Sequence, residues 1–217
     1  MRYLLTTGFF LAVVLFGTRS ASAQPFFLPY AGYGFEAGYD NAASYLARDT
    51  DDLDATGGVT LGLGLEVHVG WDRLPFILLV RPSVGTAFVP GETVTFEDGE
   101  SLDFSQQLWQ AGLSLIGEVP VGRAPVTPYL GFGLSYVRYS ADFDASGGAD
   151  VEGSASVSAW AIAPDLVAGL RYGRGRVTPV VEARYRFATP SPDFSAERPG
   201  TDLDNGLAVV IGARIAL

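Results

Sequence analysis

Apolar residues alternate with small or charged residues along much of the chain, and this two-residue period predicts β-strands. The segment 58–70 shows the pattern most clearly, because Leu61, Leu63 and Leu65 alternate with glycine or charged positions. The closing segment 205–217 alternates in the same way. Counting every such segment predicts eight strands, near residues 30–40, 58–70, 76–89, 103–118, 127–142, 154–172, 176–188 and 205–217.

The connections between these segments are alternately short and long. The long links are rich in acidic residues, as at 49–54, whereas the short links carry arginine and lie at 71–75, 122–125 and 173–176. Short turns at one end and long loops at the other are typical of outer-membrane barrels. The pattern predicts an all-β fold, an eight-stranded antiparallel up-and-down transmembrane β-barrel. Ten strands remain the alternative, because the hairpins 90–104 and 141–156 could count as further strands.

The first 23 residues have the layout of a secretory signal peptide. Arg2 precedes an apolar stretch, and Ala21 to Ala23 form a small-residue cleavage site before Gln24. We therefore predict a signal peptide at 1–23 and one outer-membrane barrel domain at 24–217. No later apolar run is long enough for a spanning helix. Export of such an apolar, strand-forming chain predicts an outer-membrane location, with lipid as its surroundings and a monomer as its state.

Composition narrows the possible partners. The chain has 14 basic and 24 acidic residues and a formal net charge of −10, which argues against nucleic acid as a partner. It has no cysteine, so neither a disulfide nor a thiolate metal site is available. The acidic run 49–54 lacks the central glycine and distant glutamate of a calcium loop. We predict no cofactor and no dedicated metal site, and weak sharing of Ca²⁺ or Mg²⁺ between loops and lipid phosphates stays open.

Charged strand residues should point into the barrel if the apolar faces meet lipid. An eight-stranded barrel is just wide enough for side chains to fill it, so acids and arginines should pair as a plug. Ile116 and Val210 are the large apolar side chains expected inside, and Arg214 is expected beside Glu36 at the seam. The predicted lumen charge network comprises Glu36, Glu66, His68, Arg81, Glu118, Asp165, Arg171, Glu182, Arg184, Arg186 and Arg214.

Glycines and aromatic residues add detail to this picture. Most strand glycines fall on the proposed inner face, where they leave room for long side chains. Aromatic residues gather near both ends of the strands, which predicts two interfacial girdles. Those at the loop end are Tyr39, Phe88, Trp109 and Trp160, and those at the turn end are Trp71, Tyr129 and Tyr172.

Two short motifs resemble those of a known family. The stretch 128–136, Pro-Tyr-Leu-Gly-Phe-Gly-Leu-Ser-Tyr, resembles the Pro-Tyr-x-Gly-x-Gly strand of small bacterial outer-membrane barrels of the OmpA, OmpX and OmpW type. The stretch 182–187 is similar to their penultimate strand. The resemblance implies periplasmic chaperones and insertion by the barrel-assembly machinery, which reads a terminal residue that is usually Phe or Trp. Leu217 stands there, keeps the position apolar and is the expected assembly signal.

The sequence favours a non-enzymatic barrel that serves envelope integrity or surface interaction and adhesion through its external loops. The segment 93–104 supports this interpretation, because Asp98 and Gly99 are a tight-turn signal between alternating arms. Strands three and four should therefore continue beyond the membrane and present an edge to a partner.

Two other functions are less consistent with the sequence. An OmpW-like narrow channel for small hydrophobic solutes needs an apolar lumen, which the charged interior disfavours. A lipid-modifying enzyme commonly needs a histidine to activate a serine. His68 is the one histidine of the chain, and strand two places it near the turn end and pointing inward.

Overall fold

The chain forms a closed antiparallel barrel in a computed structural model that describes residues 25–36, 57–69, 75–95, 101–122, 124–148, 151–187 and 205–217. Each strand pairs with its neighbours in sequence, and β1 pairs with β8. No helix in the described ranges is long and apolar enough to cross a membrane. The strands are β1 Phe26–Glu36, β2 Gly57–His68, β3 Ile77–Thr95, β4 Ser101–Glu118, β5 Val126–Gly148, β6 Val151–Tyr172, β7 Val177–Arg186 and β8 Gly206–Ala216.

The prediction of eight strands is confirmed, and the ten-stranded alternative is wrong. In the described residues, the segments that suggested extra strands lengthen β3, β4, β5 and β6, whose pairing is regular apart from register shifts at 89–92 and 145–148. Gly122 and Gly173 have φ angles of 49° and 104° in two of the short turns, a conformation that glycine adopts at little cost. The predicted signal peptide lies outside the described residues.

The outward face of the barrel is an apolar band. On β5, Leu130, Phe132, Leu134 and Tyr136 are between 45% and 64% exposed. The outward residues from Val126 to Tyr136 span about 33 Å along the strand, which is about 25 Å along the barrel axis at a tilt of about 40°. This height matches the lipid-facing band of outer-membrane barrels, about 25 Å. The surface therefore fits a bilayer rather than water.

Four strands run well beyond this band on one side of the barrel. The strands β3 to β6 are 18 to 23 residues long, whereas the others have 10 to 12. We call residues 89–95, 101–107, 140–148 and 151–159 the extension sheet. Its outward face is polar, with Asp103, Ser105, Asp142 and Ser156 exposed. The expectation that strands three and four continue past the apolar band is confirmed, and β5 and β6 do the same.

Candidate functional site

Glu66 lies at the centre of the charge network that fills the turn-end half of the lumen. Its Oε1 accepts hydrogen bonds from Arg81 Nε at 2.9 Å and from Arg171 Nη2 at 2.6 Å. Arg214 Nε lies 2.9 Å from the other oxygen. These residues come from β2, β3, β6 and β8, so one carboxylate connects the side chains of four strands across the lumen. Glu66, Arg81 and Arg171 are at most 2% exposed, so water does not screen their attraction.

Glu182 on β7 forms a second centre that shares Arg81 with the first. Arg81 Nη1 donates to Glu182 Oε2 at 2.5 Å, and Tyr129 donates its hydroxyl to the same oxygen at 2.7 Å. Arg184 pairs with the other carboxylate oxygen. Removing charges from water is costly unless each finds partners, and here each acid meets at least one guanidinium. Glu118 follows this rule, because it pairs with Arg171.

Aromatic rings stack against two arginines of the network. The guanidinium of Arg184 lies 3.8 Å from the centre of the Tyr30 ring, and that of Arg171 lies 4.7 Å from the Tyr129 ring. Such stacking favours a cation held away from water. A methyl group added at Gly169 would collide with the Tyr129 ring. Gly169 therefore leaves room for the Tyr129 ring, on which Arg171 stacks.

Tyr129 corrects one sequence prediction and was missed as a network member. It was predicted in the turn-end girdle, but it is buried in the lumen. Tyr30 was missed as well and is also buried. The two-residue alternation could have identified both tyrosines as inward. Tyr129 is two residues from Gly131, and Tyr30 is two residues from Gly32, and both glycines are on the proposed inner face. Tyr172, Phe88 and Trp109 are exposed as a girdle requires.

Apolar side chains fill more of the lumen than the sequence suggested. Val210 and Ile116 are buried as predicted, but further large apolar residues join them. The expectation of two such residues is wrong because inward positions of β1, β3, β6 and β7 also carry large apolar side chains. A buried cluster interleaved with the charges comprises Leu28, Leu79, Ile116, Tyr129, Val167 and Val180. Side chains, charged and apolar together, occupy the lumen at this level.

A second part of the predicted network lies nearer the loop end. Asp165 accepts a long hydrogen bond of 3.5 Å from Ser114, and Arg186 donates to Gln110 at 2.7 Å. These residues line a small cavity of about 30 Å³, and Arg81 and Arg184 contribute to its wall. The described lumen is thus filled by side chains near the turns and keeps a small cavity towards the extension sheet.

The seam between the first and last strands is present, but one predicted pair in it is wrong. Glu36 is opposite Gly206 on β8, and Tyr33 is opposite Val209. Arg214 lies eight residues along β8 from Gly206, which is about 27 Å at the rise of a strand. It therefore meets Glu66 instead of Glu36, whose side chain lies outside the description. At the far end of the seam, the N–H of Leu217 donates to Pro25 O at 3.1 Å.

His68 lies at the turn end of β2, as the sequence predicted. Its ring packs edge-on against Phe26 at 5.7 Å between ring centres, and the guanidinium of Arg214 lies 3.4 Å from the centre of the same Phe26 ring. Within the described ranges, no group of three or more histidine or acidic residues could hold a metal ion. Arg174, in the turn before β7, donates to Gly122 O at 2.8 Å and joins two short turns.

Comparison with solved structures identifies the class of fold. The chain resembles Neisserial surface protein A, with 16% identity, a TM-score of 0.57 and coverage of 90% of this chain and 99% of that one. A major outer membrane protein from Thermus thermophilus gives 17% identity, a TM-score of 0.56 and coverage of 89% and 99%. The chain has the fold of eight-stranded outer-membrane β-barrels.

The remaining comparisons do not assign the chain to a particular family. The outer membrane enzyme PagL matches with 13% identity, a TM-score of 0.45 and coverage of 88% of this chain and 99% of that one. No protein-family model and no curated protein matches the chain.

Proposed function

We propose that this protein is a non-catalytic barrel of the outer membrane whose lumen is closed to solutes and whose extension sheet acts at the cell surface. The observation that carries the first half is the network centred on Glu66. At the level of Glu66 this network connects β2, β3, β6 and β8 across the interior, and buried side chains fill the space around it. Charges with such short, buried contacts do not separate readily, so neither ions nor apolar solutes have a continuous path.

Planar-bilayer recording of the purified barrel tests closure. We expect no stable unitary steps of conductance, whereas large and stable steps would contradict the proposal. The same preparation must show a compact band on an unheated denaturing gel. The absence of conductance then indicates a barrel that is folded and closed. Uptake of small hydrophobic compounds by cells that make the protein tests the channel alternative, and closure predicts no gain over cells that lack it.

The extension sheet supports a role in surface contact. Within the described residues, β6 pairs with β7 only from Asp165 onward, and β2 leaves β3 after Phe88. Residues 151–159 of β6 therefore present backbone N–H and C=O groups at an edge that no described strand covers. An extended partner segment could add to such an edge by main-chain hydrogen bonds. Exposed aspartates on the sheet limit unspecific pairing, as charged residues do at natural sheet edges.

Shortening the extension separates the two proposed roles. A variant that replaces 142–156 with a two-residue turn keeps the whole apolar band and should fold. If the extension mediates surface contact, adhesion of cells is lost while their resistance to detergent is kept. The opposite result, with resistance lost and adhesion unchanged, would favour envelope integrity as the role. A shortened variant that behaves as wild type in both assays would contradict any function of the extension.

A catalytic role is the weaker interpretation of the geometry. His68 is at the opposite end of β2 from the loops, and its described ring contact is with Phe26. A His68→Gln variant should leave the lipid A of the producing cells unchanged, as judged by mass spectrometry. A change in acyl chains that depends on His68 would reverse this conclusion.

A further inference from the structure

The outward face changes from apolar to polar along one row of residues. Trp109 on β4, Arg138 on β5 and Trp160 on β6 are directly opposite one another in the pairing register. On β5 the outward residue below this row is Tyr136, which is exposed and stacks on Trp160 at 5.8 Å between ring centres. The next outward residue above the row is Ser140. The row therefore marks the upper edge of the lipid-facing band.

Arg138 is unusual in its position. Among the strand residues that the structure describes, it is the basic residue that points outward, since the other strand arginines point into the lumen. Adjacent strands place the Cα atoms of Trp109 and Trp160 about 5 Å from that of Arg138. Tryptophan favours the headgroup level of a membrane, where one side of its ring is wet and the other apolar. The two indoles thus fix the depth at which the guanidinium is held.

We propose that Arg138, flanked by Trp109 and Trp160, binds the phosphate group of a membrane lipid in the leaflet at the loop end of the barrel. The planar guanidinium matches phosphate oxygens with two parallel N–H donors. A side chain that starts at the edge of the apolar band reaches the headgroup phosphates without leaving the barrel wall. The indoles pack against the glycerol or sugar region of the same lipid.

The acidic residues of the extension sheet do not cancel this site. On the outward face of β5 the nearest acid is Asp142, four residues from Arg138, which is about 13 Å along the strand. This exceeds the screening length of about 8 Å at physiological ionic strength. Asp103 and Asp144 are opposite each other in the strand register, one outward row further from Arg138. The geometry thus separates a phosphate-binding row from the acidic rows above it.

Native mass spectrometry of the folded full-length barrel in detergent tests the proposal. The probes are phosphatidic acid and a diacylglycerol with the same acyl chains, which differ only in the phosphate. The variants are Arg138→Gln, Arg138→Lys and, as a matched control at the other rim, Arg176→Gln. Because Arg138 points outward, its variants should keep the compact unheated band that reports folding.

We expect Arg138→Gln to lower the retention of phosphatidic acid about fivefold, in line with one cation at a membrane surface. Diacylglycerol retention and the Arg176→Gln variant should stay as in wild type, and Arg138→Lys should fall between the two. Equal retention by wild type and Arg138→Gln would overturn the proposal and leave a merely solvated arginine. Full displacement by stoichiometric inorganic phosphate would also overturn it, because the site would then bind free anions rather than lipid.

Discussion

Replacing Glu66 with glutamine removes the charge on which three arginines converge while keeping the shape of the side chain. In wild type the carboxylate lies 2.6 to 2.9 Å from nitrogen atoms of Arg81, Arg171 and Arg214. The amide of glutamine presents one acceptor oxygen and one NH₂ group. The NH₂ group is a donor, so it cannot accept hydrogen bonds from the guanidinium groups that face it. The substitution therefore leaves a surplus of positive charge in the lumen.

The size of the effect follows from the remaining partners. Arg81 keeps Glu182 and Arg171 keeps Glu118, but Arg214 has no other acidic partner in the described network. Breaking one buried ion pair by removing one member costs about 3–5 kcal/mol. Arg214 is 13% exposed and retains some water, so we expect the lower end, a loss of about 3 kcal/mol in the free energy of unfolding.

Equilibrium unfolding by urea in lipid vesicles, followed by tryptophan fluorescence, measures this loss. Asp142→Asn is the matched control, because it also turns an acid into its amide but on the exposed extension sheet, where about 0.5 kcal/mol or less is expected. The double variant Glu66→Gln, Arg214→Gln should recover about 1–3 kcal/mol relative to the sum of the single changes, since the unpaired cation is gone.

A Glu66→Gln barrel within about 1 kcal/mol of wild type would refute the reasoning. It would mean that the cost of burying the charges equals their mutual attraction. Additive losses in the double variant would likewise show that Glu66 and Arg214 are not coupled.

Two further results are expected. Gly169→Ala should destabilise the barrel by about 1–3 kcal/mol, because the new methyl meets the Tyr129 ring, whereas Ala168→Val on the lipid face should change the urea midpoint little. Because the chain has no cysteine, a membrane-impermeant maleimide should label Ser156→Cys on intact cells but Arg176→Cys only after permeabilisation, and the reverse pattern would contradict the orientation.

Strand count and facing were predictable from the sequence because a two-residue period fixes both at once. The lumen charges followed from the same parity, and most of the predicted members do meet in one network. The pair Glu36 and Arg214 failed for a geometric reason: parity says which face a residue is on, but not its depth. Depth depends on the register between strands, and at the β1–β8 seam that register is set by residues 170 to 190 positions apart in the sequence.

The extension sheet shows how one set of strands serves two surroundings. On β5 the outward positions are apolar up to Tyr136, and Ser140 and Asp142 follow after Arg138. From Tyr129 to Asp144 the strand keeps its parity and its register with both neighbours, so the polarity of one face changes without a change of register. A bilayer requires this change, because the same face leaves hydrocarbon and enters water. The row that contains Arg138 is where lipid headgroups lie, which is why its single outward cation is the residue to test first for lipid recognition.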